Sequence, residues 1–234
     1  MNRLGFLPAR AKAVKEELEK IPMVEVVDFV THFANSELTY PADGKLPVSG
    51  QLNNLVSLEG LACDKCFSNS GAILWHPEAA DGAVRAGIAL YGVSPDGNKT
   101  SGELGLVPVM TLRAGILGTQ NLQPGDAVGY GSKFVAEHPM RIAVLACGYA
   151  DGYPRQKLED RFVLIHGKKA PLVGSVSMDM ITVDITDIPE AKPGDWAELW
   201  GKNLPVNEVA ALHGTIGYEL LANLNIRVKR EFIS

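Results

Sequence analysis

The chain has 234 residues, 46% hydrophobic and 21% charged, and 22 Lys+Arg against 27 Asp+Glu leave a net charge of −5. That balance is ordinary for a folded soluble protein of about one to two domains with a real core. The mild negative charge argues against a nucleic-acid binder, which needs a basic face, and no apolar run reaches the ~18–20 residues of a membrane span. The opening MNRLGFLPARAK lacks the apolar stretch and small-residue cleavage site of a signal peptide, so a cytoplasmic protein is expected. The 24 glycines exceed the average share of ~7%, a sign of many turns or of backbone approached by a ligand.

The predicted elements begin with a helix over 8–21, where Pro8 suits a first turn and Val14, Leu18 and Ile21 recur at i, i+4, i+7. Val24–Phe33 is a near-continuous β-branched run and reads as a buried strand. A loop with Pro41 and Pro47 leads to a helix around 48–62, a short strand Cys66–Ser70, a helix near 71–80 and a strand Val84–Tyr91. Helix and strand alternate, which predicts a parallel α/β unit. Cys63, Cys66 and Cys147 are an odd number. The C-x-x-C of Cys63 and Cys66 has no second pair, so it reads as two reduced thiols and no metal site is expected.

Ser94–Thr100 (SPDGNKT) is a polar, turn-rich linker, and its Asn98-Lys99-Thr100 triplet carries no weight without a secretory signal. Beyond it the period changes to short strands: Leu106–Gly118, Ala127–Tyr130, Arg141–Cys147, Phe162–Ile165, Pro171–Val176, Ile181–Ile185 and Trp196–Trp200. Pro124-Gly125-Asp126, His166-Gly167 and Pro193-Gly194-Asp195 are turn signals between them. The spacing predicts an antiparallel β-barrel or sandwich. Helices near Asn207–His213 and Tyr218–Leu224 precede a last strand near Ile226–Phe232.

Several strings, taken in order, carry more than any one of them. They are Met1-Asn2-Arg3-Leu4-Gly5-Phe6, Thr31-His32-Phe33-Ala34, Ser68-Asn69-Ser70 and Val84-Arg85-Ala86-Gly87-Ile88-Ala89-Leu90-Tyr91-Gly92. Gly129-Tyr130-Gly131, Gly148-Tyr149-Ala150-Asp151-Gly152-Tyr153, Val173-Gly174-Ser175-Val176-Ser177-Met178-Asp179-Met180 and Tyr218-Glu219 follow. In this order and spacing the chain resembles bacterial alanine racemase over essentially its whole length. The resemblance implies a pyridoxal 5'-phosphate (β/α)8 barrel, of TIM type, followed by a C-terminal antiparallel β-domain. Residues 1–96 then stand for an incomplete C-terminal part of the barrel and 97–234 for the β-domain. The family's barrel starts with a Lys-Ala-x-Ala-Tyr-Gly-His-Gly string whose lysine holds the cofactor. This sequence has no such string, and Lys12, Lys15, Lys20, Lys45 and Lys65 lie outside any lysine motif.

The resemblance also implies roles. Interconversion of L- and D-alanine, which supplies D-alanine for peptidoglycan, needs an electron sink and two bases on opposite faces of Cα. One base is the family's lysine. The other matches Tyr130, which in the family enters the partner subunit's site, so a homodimer is implied. His32 and Arg85 match a hydrogen-bonded chain with that tyrosine, and Arg85 matches the partner of the pyridine nitrogen. Read without the resemblance, His32 is a core histidine, whereas a charge at Arg85 inside an apolar strand demands a partner. Ser70, the backbone N–H groups of Gly87 and Ile88, and Tyr218 match the phosphate site; strand glycine and core aromatic are the plain readings of Gly87 and Tyr218. Arg3 and the Met178 N–H match groups that hold the substrate carboxylate, and Tyr149 matches a tyrosine of the access path. Ser175 departs from the arginine many members carry there, and Glu37 from an aspartate. Three readings stay open: a racemase portion that needs a missing N-terminal half, a non-catalytic remnant serving as a dimerisation or binding module, or an amino-acid racemase of related but broader specificity.

Overall fold

The computed structural model describes the chain apart from Asn2, residues 39–44, Ala62, Gly97, Asn98, residues 157–159 and Ser234. Pro41 of the predicted loop, Ala62 at the end of the predicted helix 48–62, and Gly97 and Asn98 of the predicted linker lie outside the described residues. Two compact units divide the chain, Met1–Leu90 and Tyr91–Ser234.

In the first unit a 3-10 turn at Pro8–Arg10 leads into α1, Ala11–Leu18. The predicted stripe is only partly used: Ala11 is buried and Val14 half-buried, while Leu18 and Ile21 stay exposed. The helix packs against the turn Val56–Leu58, whose three residues are too few to cover the whole apolar stripe. β1, Asp28–Val30, pairs in parallel with β2, Asp64–Cys66, with Asp28 opposite Asp64 and Val30 opposite Cys66. α2, Val48–Asn53, and α3, Ser70–Trp75, complete the unit's α-helices among the described residues. Phe33, Val48, Leu58, Phe67, Ala72 and Ala79 form its core, with Phe29, Leu52 and Leu55 packed against them.

Three predicted strands change here: the buried strand expected at Val24–Phe33 shortens to β1, with Val24, Val27 and Val30 exposed. The strand expected at Cys66–Ser70 forms two residues earlier, as β2, because Asn69 caps α3: its side chain accepts the Ala72 N–H at 3.1 Å. The strand expected at Val84–Tyr91 shrinks to one parallel bridge between Asn69 and Arg85, followed by a 3-10 turn at Ile88–Tyr91. The Ser70 hydroxyl accepts the N–H groups of Gly87 and Ala89 at 3.0 and 3.3 Å, removing donors that a ladder would use. Pairing is parallel throughout, but no barrel closes among the described residues of this unit. Val27 and Val30 beside the outer edge of β1, and Val84, remain exposed.

The second unit holds a six-stranded antiparallel sheet. Its strands are β3 (Leu112–Leu122), β6 (Met140–Leu145), β7 (Phe162–Ile165), β8 (Lys168–Pro171), β9 (Ile181–Asp184) and β10 (Trp196–Trp200), in the order β8-β7-β10-β3-β6-β9. The bridge of Leu172 to Val183 brings the two edges together, so the barrel is nearly closed. A separate hairpin pairs β4, Ala127–Val128, with β5, Phe134–Val135. Leu112, Ala114 and Ile116 of β3 point into the barrel with Leu145, Ile165, Ile181, Val183 and Leu199, all buried. Both Pro-Gly-Asp turns are built alike: Asp126 accepts the Gln123 N–H at 2.7 Å and Asp195 the Lys192 N–H at 3.0 Å.

His166 and Gly167 make a two-residue hairpin with φ of +51° and +76°. That turn sets Ile165 opposite Lys168, so the strand expected at Pro171–Val176 forms at Lys168–Pro171 instead. α4, Val206–Leu212, and α5, Gly217–Ala222, are the helical pair. The strand expected at Ile226–Phe232 does not form. Ile226 and Phe232 are exposed, and no strand lies beside them among the described residues.

Candidate active site

In the first unit the sequence-predicted residues converge on the C-terminal ends of β1 and β2. Arg85 is half-buried, and its guanidinium is claimed by the backbone. Nη2 donates to the Thr31 carbonyl at 2.6 Å, and Nη1 donates to the Cys66 carbonyl and lies 3.2 Å from the Cys66 thiol. Carbonyls at the ends of parallel strands have no ladder partner, so an arginine satisfies them and is fixed in return. Its partner in the fold is therefore the strand-end backbone, which the sequence reading did not anticipate.

His32 follows β1 and lies 3.4 Å from Arg85 Nη2 through Nδ1 and 3.4 Å from the Asn69 amide through Nε2. Burial first, then the positive charges of Arg85 and Arg3, hold its pKa below the ordinary 6.5. The imidazole is thus kept neutral near pH 7. Arg3 is exposed yet close enough to act on that ring.

Ser70 is buried at the start of α3, with Gly87 N–H on its hydroxyl. A Cβ placed on Gly87 would meet only the Ser70 hydroxyl, at 3.9 Å, so open space adjoins this pair. Ile88 is buried and starts the following 3-10 turn. The Ser70 hydroxyl, beside that space, accepts from the Gly87 and Ala89 N–H groups and keeps its own proton to donate.

Asn69 was not singled out in the sequence, although it lies in the Ser68-Asn69-Ser70 string. It touches His32, accepts the Ser36 hydroxyl at 2.7 Å and caps α3. Its one available signal was an Asn immediately before a helix.

The second unit carries the remaining predicted residues. Tyr130 begins the turn Tyr130–Ser132 between β4 and β5, where Gly129, Gly131 and Ser132 all take positive φ. Tyr130 is 77% exposed at the tip of this turn. Tyr149 opens the 3-10 turn Tyr149–Asp151, and the Arg155 guanidinium stands 6.0 Å from its ring centre. The Tyr149 and Ala150 N–H groups bond the carbonyls of Ser177 and Met178, each at 3.0 Å, so Tyr149 and Met178 are neighbours. Tyr149, Tyr153, Arg155, His213 and Glu219 help line a cleft of about 370 Å³. Tyr218 lies on α5, next to Glu219 in sequence and partly exposed. Among the described residues no group of three or more His, Cys, Asp or Glu is arranged to hold a metal, and no helix is long and apolar enough to cross a membrane.

A parallel α/β unit followed by a nearly closed antiparallel barrel defines a two-unit α/β-plus-β fold, and comparison with known proteins names its family. The alanine racemase N-terminal domain profile matches residues 1–95 and the alanine racemase C-terminal domain profile matches residues 109–232. The chain belongs to the alanine racemase family. It is 48% identical over 230 residues to the alanine racemase of Janthinobacterium sp., covering 98% of this chain and 63% of that protein. Among solved structures, the biosynthetic alanine racemase of Pseudomonas aeruginosa is 41% identical with a TM-score of 0.90, covering all of this chain and 64% of its own. The Bartonella henselae alanine racemase, solved with covalently bound pyridoxal phosphate, is 34% identical with a TM-score of 0.81, covering all of this chain and 64% of its own. The chain therefore spans somewhat under two thirds of the length of these relatives.

Proposed function

We propose that this chain supplies the C-terminal share of a pyridoxal 5'-phosphate-dependent alanine racemase and does not racemise alanine alone. Residues 1–96 stand in this reading for the C-terminal part of the cofactor barrel and 97–234 for the β-domain. The observation that carries it is the Ser70–Gly87 pair beside open space, next to an arginine locked between two strand ends. These groups suit the phosphate and ring of the cofactor, whereas the Lys-Ala-x-Ala-Tyr-Gly-His-Gly string is absent from the sequence. When bound, the cofactor supplies an electron sink for charge at the substrate Cα.

Ser70, Gly87, Ile88 and Tyr218 hold the phosphate in this reading. Arg85, held by the strand-end carbonyls, would stand as a fixed cation toward the cofactor ring and disfavour a proton on its nitrogen. Tyr130 takes the Cα proton as phenolate, or returns one as phenol, in the site of the partner subunit of a homodimer in this reading, and His32 and Arg85 complete the hydrogen-bonded chain with it. Arg3 and the Met178 N–H orient the carboxylate of L- or D-alanine, and Tyr149 lines the access path. A cytoplasmic location belongs to the same reading.

A second reading rests on a different observation. The barrel of Tyr91–Ser234 has its own buried core, whereas the first unit has a single two-stranded sheet among the described residues. That asymmetry fits a non-catalytic remnant whose β-domain serves as a dimerisation or binding module. The experiment mixes the chain with the separately expressed N-terminal segment of a relative, adds cofactor and measures D-alanine with a D-amino-acid oxidase assay. Racemisation is expected from the mixture and not from the chain alone. Tyr130→Phe, which keeps the ring, is expected to slow the mixture by about 10²–10⁴-fold. Equal rates for wild type and variant remove Tyr130 from the mechanism. No activity from demonstrably associated segments favours the remnant.

A further inference from the structure

The turn that presents Tyr149 and the turn that presents Met178 are joined by a side chain from a third segment. Backbone contact between them is close: a Cβ on Gly148 would overlap the carbonyl oxygens of Ser177 and Met178. Asp151 closes the first turn by accepting the Gly148 N–H at 2.8 Å. The other oxygen of that carboxylate accepts Arg227 Nε at 2.7 Å, and Arg227 Nη2 donates to Asp179 in the second turn at 2.6 Å. One guanidinium thus spans both turns with two charge-assisted bonds. Arg227 is itself anchored: Asn225 accepts the Arg227 N–H at 3.1 Å, and the Asn225 N–H donates to the Asp151 carbonyl at 3.1 Å. Burial pushes the Asp151 carboxyl up, but the bonds from Arg227 and Gly148 outweigh it and leave it below the ordinary carboxylate range. This accounts for a segment that was expected to be a strand: its polar bridge to two loops takes the place of ladder pairing.

We propose that Arg227 is a positioning residue that sets the Tyr149 ring and the Met178 N–H relative to each other. The proposal rests on the racemase reading of those two groups. It requires a planar fork, because an ammonium is a point charge that cannot hold both carboxylates along two fixed directions.

The test uses the full, isotopically labelled chain with Arg227→Met, Arg227→Lys and Asp179→Asn. Amide exchange at Tyr149 and Ala150, and the aromatic resonances of Tyr149, are followed by NMR. Arg227→Met and Asp179→Asn are expected to speed exchange at those amides about tenfold or more, as local opening without global unfolding does. The Tyr149 ring resonances are expected to move toward the averaged positions of a mobile tyrosine, while β6 amides keep their wild-type rates. Arg227→Lys is expected to fall between. Asp179 is exposed in a turn, so its variant folds even where Arg227→Met does not. Unmoved Tyr149 resonances, full rescue by Arg227→Lys, or an equal rise in exchange throughout β6 overturns the proposal. Absence of racemisation in the wild-type mixture overturns the racemase reading instead, because the resonances and exchange rates are read without it.

Discussion

His213 makes the stability of the second unit depend on pH in a defined window. Its side chain is 1% exposed, with Nε2 3.3 Å from the Tyr153 hydroxyl and its ring set edge-on to Tyr153. Burial first, then the charge of Arg161, pushes its pKa from the ordinary 6.5 down to about 4, against a smaller opposing contribution from the Gln156 backbone. The folded pKa lies below the unfolded one, so between them the unfolded chain binds more protons and stability rises with pH. Acidification from pH 7.5 therefore removes about 2 kcal/mol by pH 5 and about 3 kcal/mol by pH 4, after which this contribution levels off. Trp200, buried and stacked on Tyr153, is a built-in fluorescence probe for urea melts across that range. His213→Gln keeps a neutral partner for Tyr153 and is expected to flatten the pH dependence by that amount. Direct NMR titration of His213 is expected to show a neutral ring down to about pH 4. Parallel stability curves for wild type and His213→Gln between pH 7.5 and 4 would falsify this account.

Three further outcomes are expected. Asn69→Ala removes the α3 cap and the amide beside His32, costing about 1 kcal/mol in the first unit; a titrating His32 measured by NMR should also change its pKa. Gly92→Ala places a Cβ at φ of +69° against the Val107 carbonyl, which must move, so a loss above about 2 kcal/mol is expected in a urea melt. Pyridoxal phosphate mixed with the chain and reduced with borohydride should leave no stoichiometric adduct on a single lysine by mass spectrometry, and such an adduct would overturn the reading that the tether is missing.

The site was only partly legible in the chain. Arg85 stood out because an isolated charge within an apolar run needs a partner, and that demand is local. Its actual partners, the Thr31 and Cys66 carbonyls, lie 54 and 19 residues away and were set by the pairing of β1 with β2. Asn69 and Arg227 were passed over because their work is to join segments far apart in sequence, and neither sits in a pattern with a period. Asp151 and Asp179 lie within the strings that carry the resemblance, yet the bridge between them needs Arg227, 76 and 48 residues away.

Turn chemistry legible in the chain set the bounds of some strands and missed others: after His166-Gly167 the strand starts at Lys168 and not at the expected Pro171. Phe162–Ile165 and Trp196–Trp200 form at their expected bounds, because a two-residue hairpin follows one and a Pro-Gly-Asp turn precedes the other. Local dihedral preference and side-chain hydrogen bonding suffice for such boundaries. Tertiary contacts, by contrast, set the outcome for Val84–Tyr91 and Ile226–Phe232, both expected as strands: the first keeps one bridge and a 3-10 turn, and the second joins no sheet among the described residues. A strand is completed by donors and acceptors on another segment, and the Ser70 hydroxyl took those donors from the first stretch, while among the described residues no neighbouring strand supplied them to the second. That choice depends on which residues meet in space, which no window of the sequence contains.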